Sequence, residues 1–97
     1  MMEFRDAGGK YELLDNGEVI GVSVYRDSGD RRVFTHTEID SGYAGKGLAS
    51  ELVRFALDDT RAAGKRVVPV CPMVAAFIGK YPEYEDLVDR TALTELR

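Results

Sequence analysis

Apolar and polar residues alternate along much of the first forty positions, and this period of two predicts β-strands. Three such segments cover residues 10–15, 18–26 and 31–40, because successive side chains of an extended chain point to opposite faces. Asn16-Gly17 lies between the first two segments and is the strongest signal for a two-residue hairpin. With a polar turn at 27–30, the segments predict an antiparallel meander. The apolar face of its middle strand is predicted to consist of Ile20, Val22 and Val24.

The pattern becomes helical after residue 47. Apolar residues recur at intervals of three and four, as on the buried face of an amphipathic helix, and predict a helix over 49–63 that Gly64 ends. The apolar positions are Leu48, Leu52, Val53, Phe55, Ala56 and Leu57. Residues 66–71 follow as a short strand, parallel to the third strand because a helix connects the two. Pro69 lacks an amide donor, which places this strand at an edge of the sheet.

Two prolines bound the last predicted helix. Pro72 suits a first helical turn, and Pro82 ends the segment 73–81. The charged remainder, 84–97, fits either a short strand near Leu87 or a terminal helix. The chain is therefore expected to be a single α+β domain, residues 1–97, in which an antiparallel meander precedes a βαβ unit and a short C-terminal helix.

Composition excludes several classes of function. The 97 residues carry a formal charge of −4, which argues against a broad nucleic-acid-binding surface. The longest apolar stretches are too short to span a bilayer, and the N-terminus lacks the apolar core of a signal peptide. Cys71 is the single cysteine and His36 the single histidine, so neither a disulfide nor a metal site is expected. These features favour a cytoplasmic protein without membrane or nucleic-acid partners.

The segment 43–49, Tyr-Ala-Gly-Lys-Gly-Leu-Ala, lies between a predicted strand and a predicted helix. Glycines allow the backbone to approach a ligand, and the free amides of a helix N-terminus attract phosphate. A tight turn with a solvated lysine is the alternative interpretation. We predict a pyrophosphate site whose contacts are Gly45, Lys46, Gly47, Leu48, Ala49 and Ser50.

The order of these elements resembles the GNAT superfamily of N-acetyltransferases, whose cofactor loop follows Arg/Gln-x-x-Gly-x-Gly/Ala. Gly47 and Ala49 match the Gly and Gly/Ala positions, whereas Ala44 stands where the family has Arg or Gln. The chain is most similar to minimal GNAT-like acetyltransferases of roughly this length. Their motifs are matched in order by His36-Thr37-Glu38, Gly45-Lys46-Gly47, Pro69-Val70-Cys71-Pro72, Phe77 and Tyr81-Pro82. The resemblance implies a GNAT-like mixed sheet with a glycine-rich pyrophosphate loop, and acetyl-CoA as cofactor.

Four side chains are candidates for catalysis. His36 and Glu38 project to the same face of one strand, and either can accept a proton from an amine; the resemblance favours Glu38. Cys71 is an acyl acceptor, a general acid or part of the pocket wall, with a buried structural role as the alternative. The resemblance implies that a tyrosine after the second helix protonates the leaving thiolate. Tyr81 and Tyr84 both fit this position, and Tyr81 is our candidate.

The resemblance implies an acetyl-CoA-dependent N-acetyltransferase that acts on a primary amine of a small molecule, a protein lysine or a protein N-terminus. Backbone amides of residues 33–40, including Ile39, are expected to contact the cofactor near its thioester. The direct Asn16-Gly17 link omits helices that larger relatives carry between their first two strands. The acceptor surface is therefore open, or is completed by a partner such as the second subunit of a homodimer. The alternatives are an acyl-CoA-binding module with little or no transferase activity, and an interaction domain with a vestigial loop.

Overall fold

Five β-strands form one sheet whose spatial order is also their order along the chain. The computed structural model describes residues 1–90. The strands are β1 (Met2–Asp6), β2 (Lys10–Asp15), β3 (Glu18–Ser28), β4 (Arg31–Ile39) and β5 (Arg66–Pro69). The α-helices are α1 (Leu48–Ala62) and α2 (Pro72–Lys80), and 3₁₀ turns cover Ser41–Tyr43 and Pro82–Leu87. β4 and β5 are parallel, whereas the other neighbouring strands are antiparallel.

β1 is the element that sequence reasoning did not predict. It offers only two alternating apolar residues, Met2 and Phe4, which is too short a pattern to identify a strand. Because β1 precedes β2, the first two strands are joined by residues 7–9. The Asn16-Gly17 hairpin, with φ angles of 50° and 84°, joins the second and third strands instead. The expectation that it joins the first two is therefore wrong, although the actual connection is also short and contains no helix.

β3 does not keep the single apolar face that was predicted for it. Its pairing with β2 shifts register after Leu13 and leaves Ile20 as the extra residue of a β-bulge. A shift of one residue moves every later side chain to the other face. The side chains on the core side are Ile20, Ser23 and Tyr25, and those on the opposite face, half-buried, are Val22 and Val24.

The two α-helices pack on one face of the sheet, as their apolar positions require. α1 begins after Gly47 and ends before Gly64, which has a φ of 71°, in agreement with a glycine stop. Pro72 is the first residue of α2, and β5 is the edge strand that Pro69 predicted. The core between sheet and helices includes Tyr11, Leu13, Phe34, Leu52, Leu57, Val67 and Val74.

The described part of the tail matches the short-strand alternative at one residue, because Leu87 itself ends a 3₁₀ turn and Arg90 has a helical backbone. Val88 forms an isolated parallel bridge with Val67 of β5, and the Asp89 amide donates to the Val67 carbonyl at 2.8 Å. This pairing lies next to Leu87, where the sequence indicated a strand. The alternative of a terminal helix falls partly on residues 91–97, which lie outside the described residues.

A buried cation connects the sheet to α1. The Arg32 side chain is 7% exposed and donates to Asp27 at 2.8 and 3.1 Å and to the Tyr11 hydroxyl at 2.6 Å. Its guanidinium carbon lies 4.4 Å from the centroid of the Tyr25 ring, within the range of a cation–π contact. The Tyr11 hydroxyl donates in turn to Asp59 of α1 at 2.7 Å. Burial raises the pKa of Tyr11, so this hydroxyl stays protonated and available as a donor.

We expect Arg32→Met to lower the free energy of unfolding by about 2–4 kcal/mol, because Asp27 and Tyr11 lose a buried charged partner. Urea denaturation followed by circular dichroism measures the change. Arg26→Met, at an exposed position of β3, is the matched control and should cost less than about 0.5 kcal/mol. Equal losses for the two variants would show that the Arg32 network does not stabilise the fold.

Candidate active site

Two glycines shape the connection between β4 and α1. Gly45 has a φ of 79° and Gly47 a φ of 75°, left-handed values that strain a residue with a Cβ. A Cβ at either position would meet nothing within 4 Å, so backbone conformation and not lack of space requires glycine. Gly47 caps α1 without a side-chain hydrogen bond, and the amides of the first helical turn have no intrahelical partner. These donors are therefore available to a ligand.

A cavity of about 280 Å³ lies beside this glycine loop. It is lined by Ile39, Tyr43, Ala44, Gly45, Gly47, Leu48, Ala49, Ser50 and Met73. A second cavity of about 170 Å³ lies between α1 and α2, where its lining includes Tyr81 and Lys80. The two cavities share Ser50 and Met73, so they adjoin each other at the start of α2.

Most of the predicted cofactor contacts line the cavity beside the loop. Lys46 is the exception, because its ammonium instead lies 5.6 Å from the centroid of the Tyr43 ring. Sequence reasoning missed Tyr43, Ala44 and Met73 as lining residues. An aromatic residue next to the glycine motif was a usable signal for Tyr43. Met73 offered no such signal, because it reaches the cavity only through the position of α2.

The residues beside the loop fit a pyrophosphate group. The amides at the start of α1 lie at the positive end of the helix dipole, which attracts anions. None of the side chains lining this cavity is a carboxylate, so the lining itself does not repel phosphate. Acetyl-CoA carries a pyrophosphate, and the segment 45–50 is the part of the chain that would hold it.

The pairing between β4 and β5 ends beside this cavity. Their pairing extends to Phe34 and Pro69, after which the Val70 amide bonds back to the Val68 carbonyl at 3.1 Å, the spacing of a γ-turn. Cys71 makes the last link to β4, donating its amide to the Phe34 carbonyl at 2.8 Å. β4 then continues to Ile39, whereas the segment after β5 turns into α2. The gap between them opens at the loop cavity, which Ile39 and Met73 both line.

Cys71 is buried beside this divergence. Its side chain is 3% exposed, and its Sγ lies 3.5 Å from the Thr37 Oγ1, which in turn is 2.9 Å from the Ser23 Oγ. Cys71 lines neither of the two cavities described above. A thiol in this position packs as a small core residue, so its catalytic assignment stays a prediction and the structural alternative gains support.

His36 and Glu38 lie together on the other face of the sheet. His36 Nε2 is 3.3 Å from Glu38 Oε2, and the side chains are 60% and 67% exposed. They alternate with Thr37, which contacts Cys71 on the core side. The structure thus places these two candidates as a pair but separates them from Cys71 and from the loop cavity by the thickness of the sheet.

The two candidate tyrosines have different surroundings. The Tyr84 side chain is buried, and its hydroxyl donates to Asp58 at 2.7 Å and accepts from Arg54 at 3.2 Å. Burial, together with the Asp58 bond, raises the pKa of Tyr84. Tyr81 is half-buried, lines the cavity between the helices, and lies 4.6 Å from the Phe77 ring between centroids. Tyr81 is therefore the tyrosine that faces a cavity, while Tyr84 links helix α1 to the tail.

Residues 1–90 contain no group of three or more His, Cys, Asp or Glu side chains that could hold a metal ion. No helix within the same residues is long and apolar enough to cross a membrane.

Known structures share this architecture. A GCN5-like protein from Staphylococcus aureus superposes with a TM-score of 0.70 at 17% identity, over 90% of this chain and 87% of that one. The ribosomal-protein-S18-alanine N-acetyltransferase from Escherichia coli gives a TM-score of 0.56 at 19% identity, over 60% of this chain. The aligned part spans only 38% of that enzyme. At these identities the comparisons establish the fold, and a comparison with curated protein sequences found no match.

The mixed sheet and its helices define the class of the protein as a GNAT-like α+β domain, which confirms the predicted fold. The family model for GCN5-related N-acetyltransferases matches residues 10–87. The chain belongs to the GCN5-related N-acetyltransferase family. The resemblance noted from the sequence motifs is thereby confirmed at the level of the family.

We expect Gly47→Ala to lower the free energy of unfolding by about 1 kcal/mol, because alanine is strained at a φ of 75°. Thermal and urea unfolding measure the change. Gly42→Ala is the matched control, since Gly42 precedes the same loop, has no positive φ and would place its Cβ in open space. A similar loss in both variants would refute the backbone explanation for Gly47.

Proposed function

We propose that the protein is an acetyl-CoA-dependent N-acetyltransferase that acts on a primary amine. The observation that carries the proposal is the cavity beside the glycine loop, located where β4 and β5 diverge. Its free amides would hold the pyrophosphate. When bound there, acetyl-CoA supplies an activated acetyl group as a thioester. Membership of the N-acetyltransferase family supports the same activity.

Glu38 and His36 would take the proton of the incoming amine. An amine must be neutral before it can act as a nucleophile, so a base within hydrogen-bonding reach is useful. The Glu38 carboxylate is our candidate for the base, and His36 Nε2, 3.3 Å away, can orient the carboxylate or relay the proton. Because both side chains project from the open face of the sheet, the amine would approach from the face opposite the cofactor loop.

On the cofactor side, Tyr81 is our candidate proton donor for the leaving sulfur. Its ring borders the cavity between the helices, which adjoins the loop cavity through Ser50 and Met73. Cys71 is the other candidate, although its thiol lies buried against Thr37. We therefore assign Cys71 to the wall behind the site and not to a covalent acetyl-enzyme.

The acceptor side of the site is open. The cavities beside the loop and between the helices include neither His36 nor Glu38 in their linings, and residues 7–9 join β1 to β2 without a helix. An exposed catalytic pair suits an amine on a protein surface, and one of the structural neighbours is named for an alanine of ribosomal protein S18. The proposed acceptors also include small-molecule amines, which a second subunit of a homodimer would enclose. We propose the cytoplasm as the compartment, because a single cysteine cannot form an internal disulfide and suits a reducing environment.

The exposure of His36 and Glu38 favours one alternative, an acyl-CoA-binding module with little or no transferase activity. Both side chains are more than half exposed, and water competes with a substrate for their hydrogen bonds. Cofactor binding without turnover would identify this alternative. The absence of cofactor binding would support the third possibility, an interaction domain with a vestigial loop.

We expect the protein to bind acetyl-CoA saturably in the micromolar range, as measured by isothermal titration calorimetry. Ala49→Pro removes one amide from the first turn of α1, where proline is tolerated, and should weaken binding roughly fivefold to tenfold. Ala49→Ser keeps the amide and is the matched control. If the parent protein shows no heat of binding at high micromolar acetyl-CoA, both the enzyme and the binding module are excluded.

We expect Glu38→Gln to lower kcat by about a hundredfold or more, because the amine loses its general base. His36→Gln should lower kcat less, and the KM for acetyl-CoA should change little in either variant. Release of free CoA measures the rates with polyamines, lysine peptides and peptides with free N-termini as acceptors.

Glu3→Gln, on the exposed edge strand β1, serves as the control for these variants and should retain the parent rate. Intact-mass spectrometry of the enzyme after incubation with acetyl-CoA alone should find no acetyl group on Cys71. An acetylated Cys71 would establish a covalent route. Acetyl-CoA binding with no acetylation of any amine would favour the binding module.

A further inference from the structure

A hydrogen bond links the cofactor loop to the hairpin between β2 and β3. The Tyr43 hydroxyl donates to Asp15 Oδ2 at 2.6 Å. Asp15 is the last residue of β2, directly before the Asn16-Gly17 turn, whereas Tyr43 ends the 3₁₀ turn that precedes the glycine loop and lines its cavity. The bond therefore fixes one wall of the cavity to a part of the sheet that is 28 positions away in the sequence.

The Tyr43 ring also holds the charged residue of the loop. The Lys46 ammonium lies 5.6 Å from the ring centroid, a distance at which a cation is attracted to an aromatic face. The motif resemblance makes this contact informative, since Ala44 leaves the usual Arg or Gln position without a polar side chain. Lys46 is then the residue of segment 44–50 that carries a positive charge.

The charges around this contact agree with its geometry. The bond from Tyr43 is the main cause that lowers the pKa of Asp15, and the Met1 ammonium and Lys46 act in the same direction. The bond to Asp15 is likewise the main cause that raises the pKa of Tyr43. Each shift favours an ionised Asp15 that accepts from a neutral Tyr43, so the hydrogen bond is charge-assisted.

We propose that Asp15 and Tyr43 are positioning residues for phosphate recognition: their hydrogen bond fixes the aromatic ring that holds the Lys46 ammonium beside the cofactor loop. The inference rests on the proposed function, because it assumes that the loop binds the phosphates of acetyl-CoA. The β2–β3 hairpin thereby takes part in cofactor binding, because its Asp15 helps to position Lys46, two residues after Ala44. A lysine held by a ring loses less freedom on binding than a solvated one.

The sign of one substitution distinguishes positioning from simple electrostatics. Asp15 is a negative charge near a site for phosphate, so its neutralisation alone should strengthen the binding of an anion. If Asp15 instead acts by anchoring Tyr43, then Asp15→Ala, which removes the acceptor of the Tyr43 hydroxyl, weakens binding although it removes a negative charge. Tyr43→Phe keeps the ring and removes only the anchoring hydroxyl, so it tests the same bond without a change of charge.

Calorimetry with acetyl-CoA on the full chain tests the proposal. Tyr43→Phe and Asp15→Ala should each weaken binding roughly threefold to tenfold, and Lys46→Met should weaken it at least as much. In the Lys46→Met background, Tyr43→Phe should have no further effect, because residues that act through one another are not additive. Tyr25→Phe is the matched control: it removes an equivalent bond, from the Tyr25 hydroxyl to Asp6 at 2.7 Å, and should leave binding unchanged.

Acetyl-pantetheine, which has no pyrophosphate, provides a second readout. Its binding, followed by NMR titration, should be the same for the parent and for Tyr43→Phe, whereas a general disturbance of the fold would weaken it. Stronger acetyl-CoA binding by Asp15→Ala, or an effect of Tyr43→Phe that persists with Lys46→Met, overturns the proposal alone. A parent protein that does not bind acetyl-CoA overturns the proposed function and this inference together.

Discussion

The loss of pairing between β4 and β5 is the constraint on which the rest of the site depends. The Val70 amide, which is next in line to pair with β4 after Arg66 and Val68, turns back to the Val68 carbonyl instead, so the regular ladder of hydrogen bonds ends at Phe34. Pro72 then starts α2 at the point where a strand would otherwise continue. One edge of β4, from residue 35 to Ile39, is left without a neighbouring strand, and the loop cavity lies at its end.

The sheet also separates the candidate catalytic pair from the glycine loop. The bulge at Ile20 determines which side chains of β3 face the core. Ser23 is one of them, and it pairs there with Thr37 of β4. His36 and Glu38 are one residue out of phase with Thr37, so they must project away from the helices. A cofactor held beside the loop and an amine held near Glu38 would therefore meet only through the gap between β4 and α2. The separation of the proposed cofactor side from the proposed acceptor side follows from strand geometry.

Sequence reasoning reached the elements with strong local signals and missed those that depend on contacts. Glycine and proline positions predicted the hairpin, both helices and the edge strand because each acts on its own backbone. The bulge at Ile20 was not predictable, since it requires knowledge of the partner strand. The glycine loop beside the cavity was predicted from its motif, but the contribution of Met73 depends on the docking of α2. His36 and Glu38 were correctly placed on one face, but their separation from Cys71 needed the observed register.

The β2–β3 hairpin supports the loop cavity at a second point. A Cβ on Gly21 of β3 would clash with the Ile39 Cδ1, so the absence of a side chain at Gly21 lets Ile39 occupy its place in the cavity wall. Tyr43 lines the same cavity and is anchored by Asp15 on the same hairpin. Two lining residues of the cavity thus depend on one hairpin, although the cofactor motif itself lies entirely after β4. In a chain this short, part of the precision of the loop comes from the sheet beside it and not from the glycines alone.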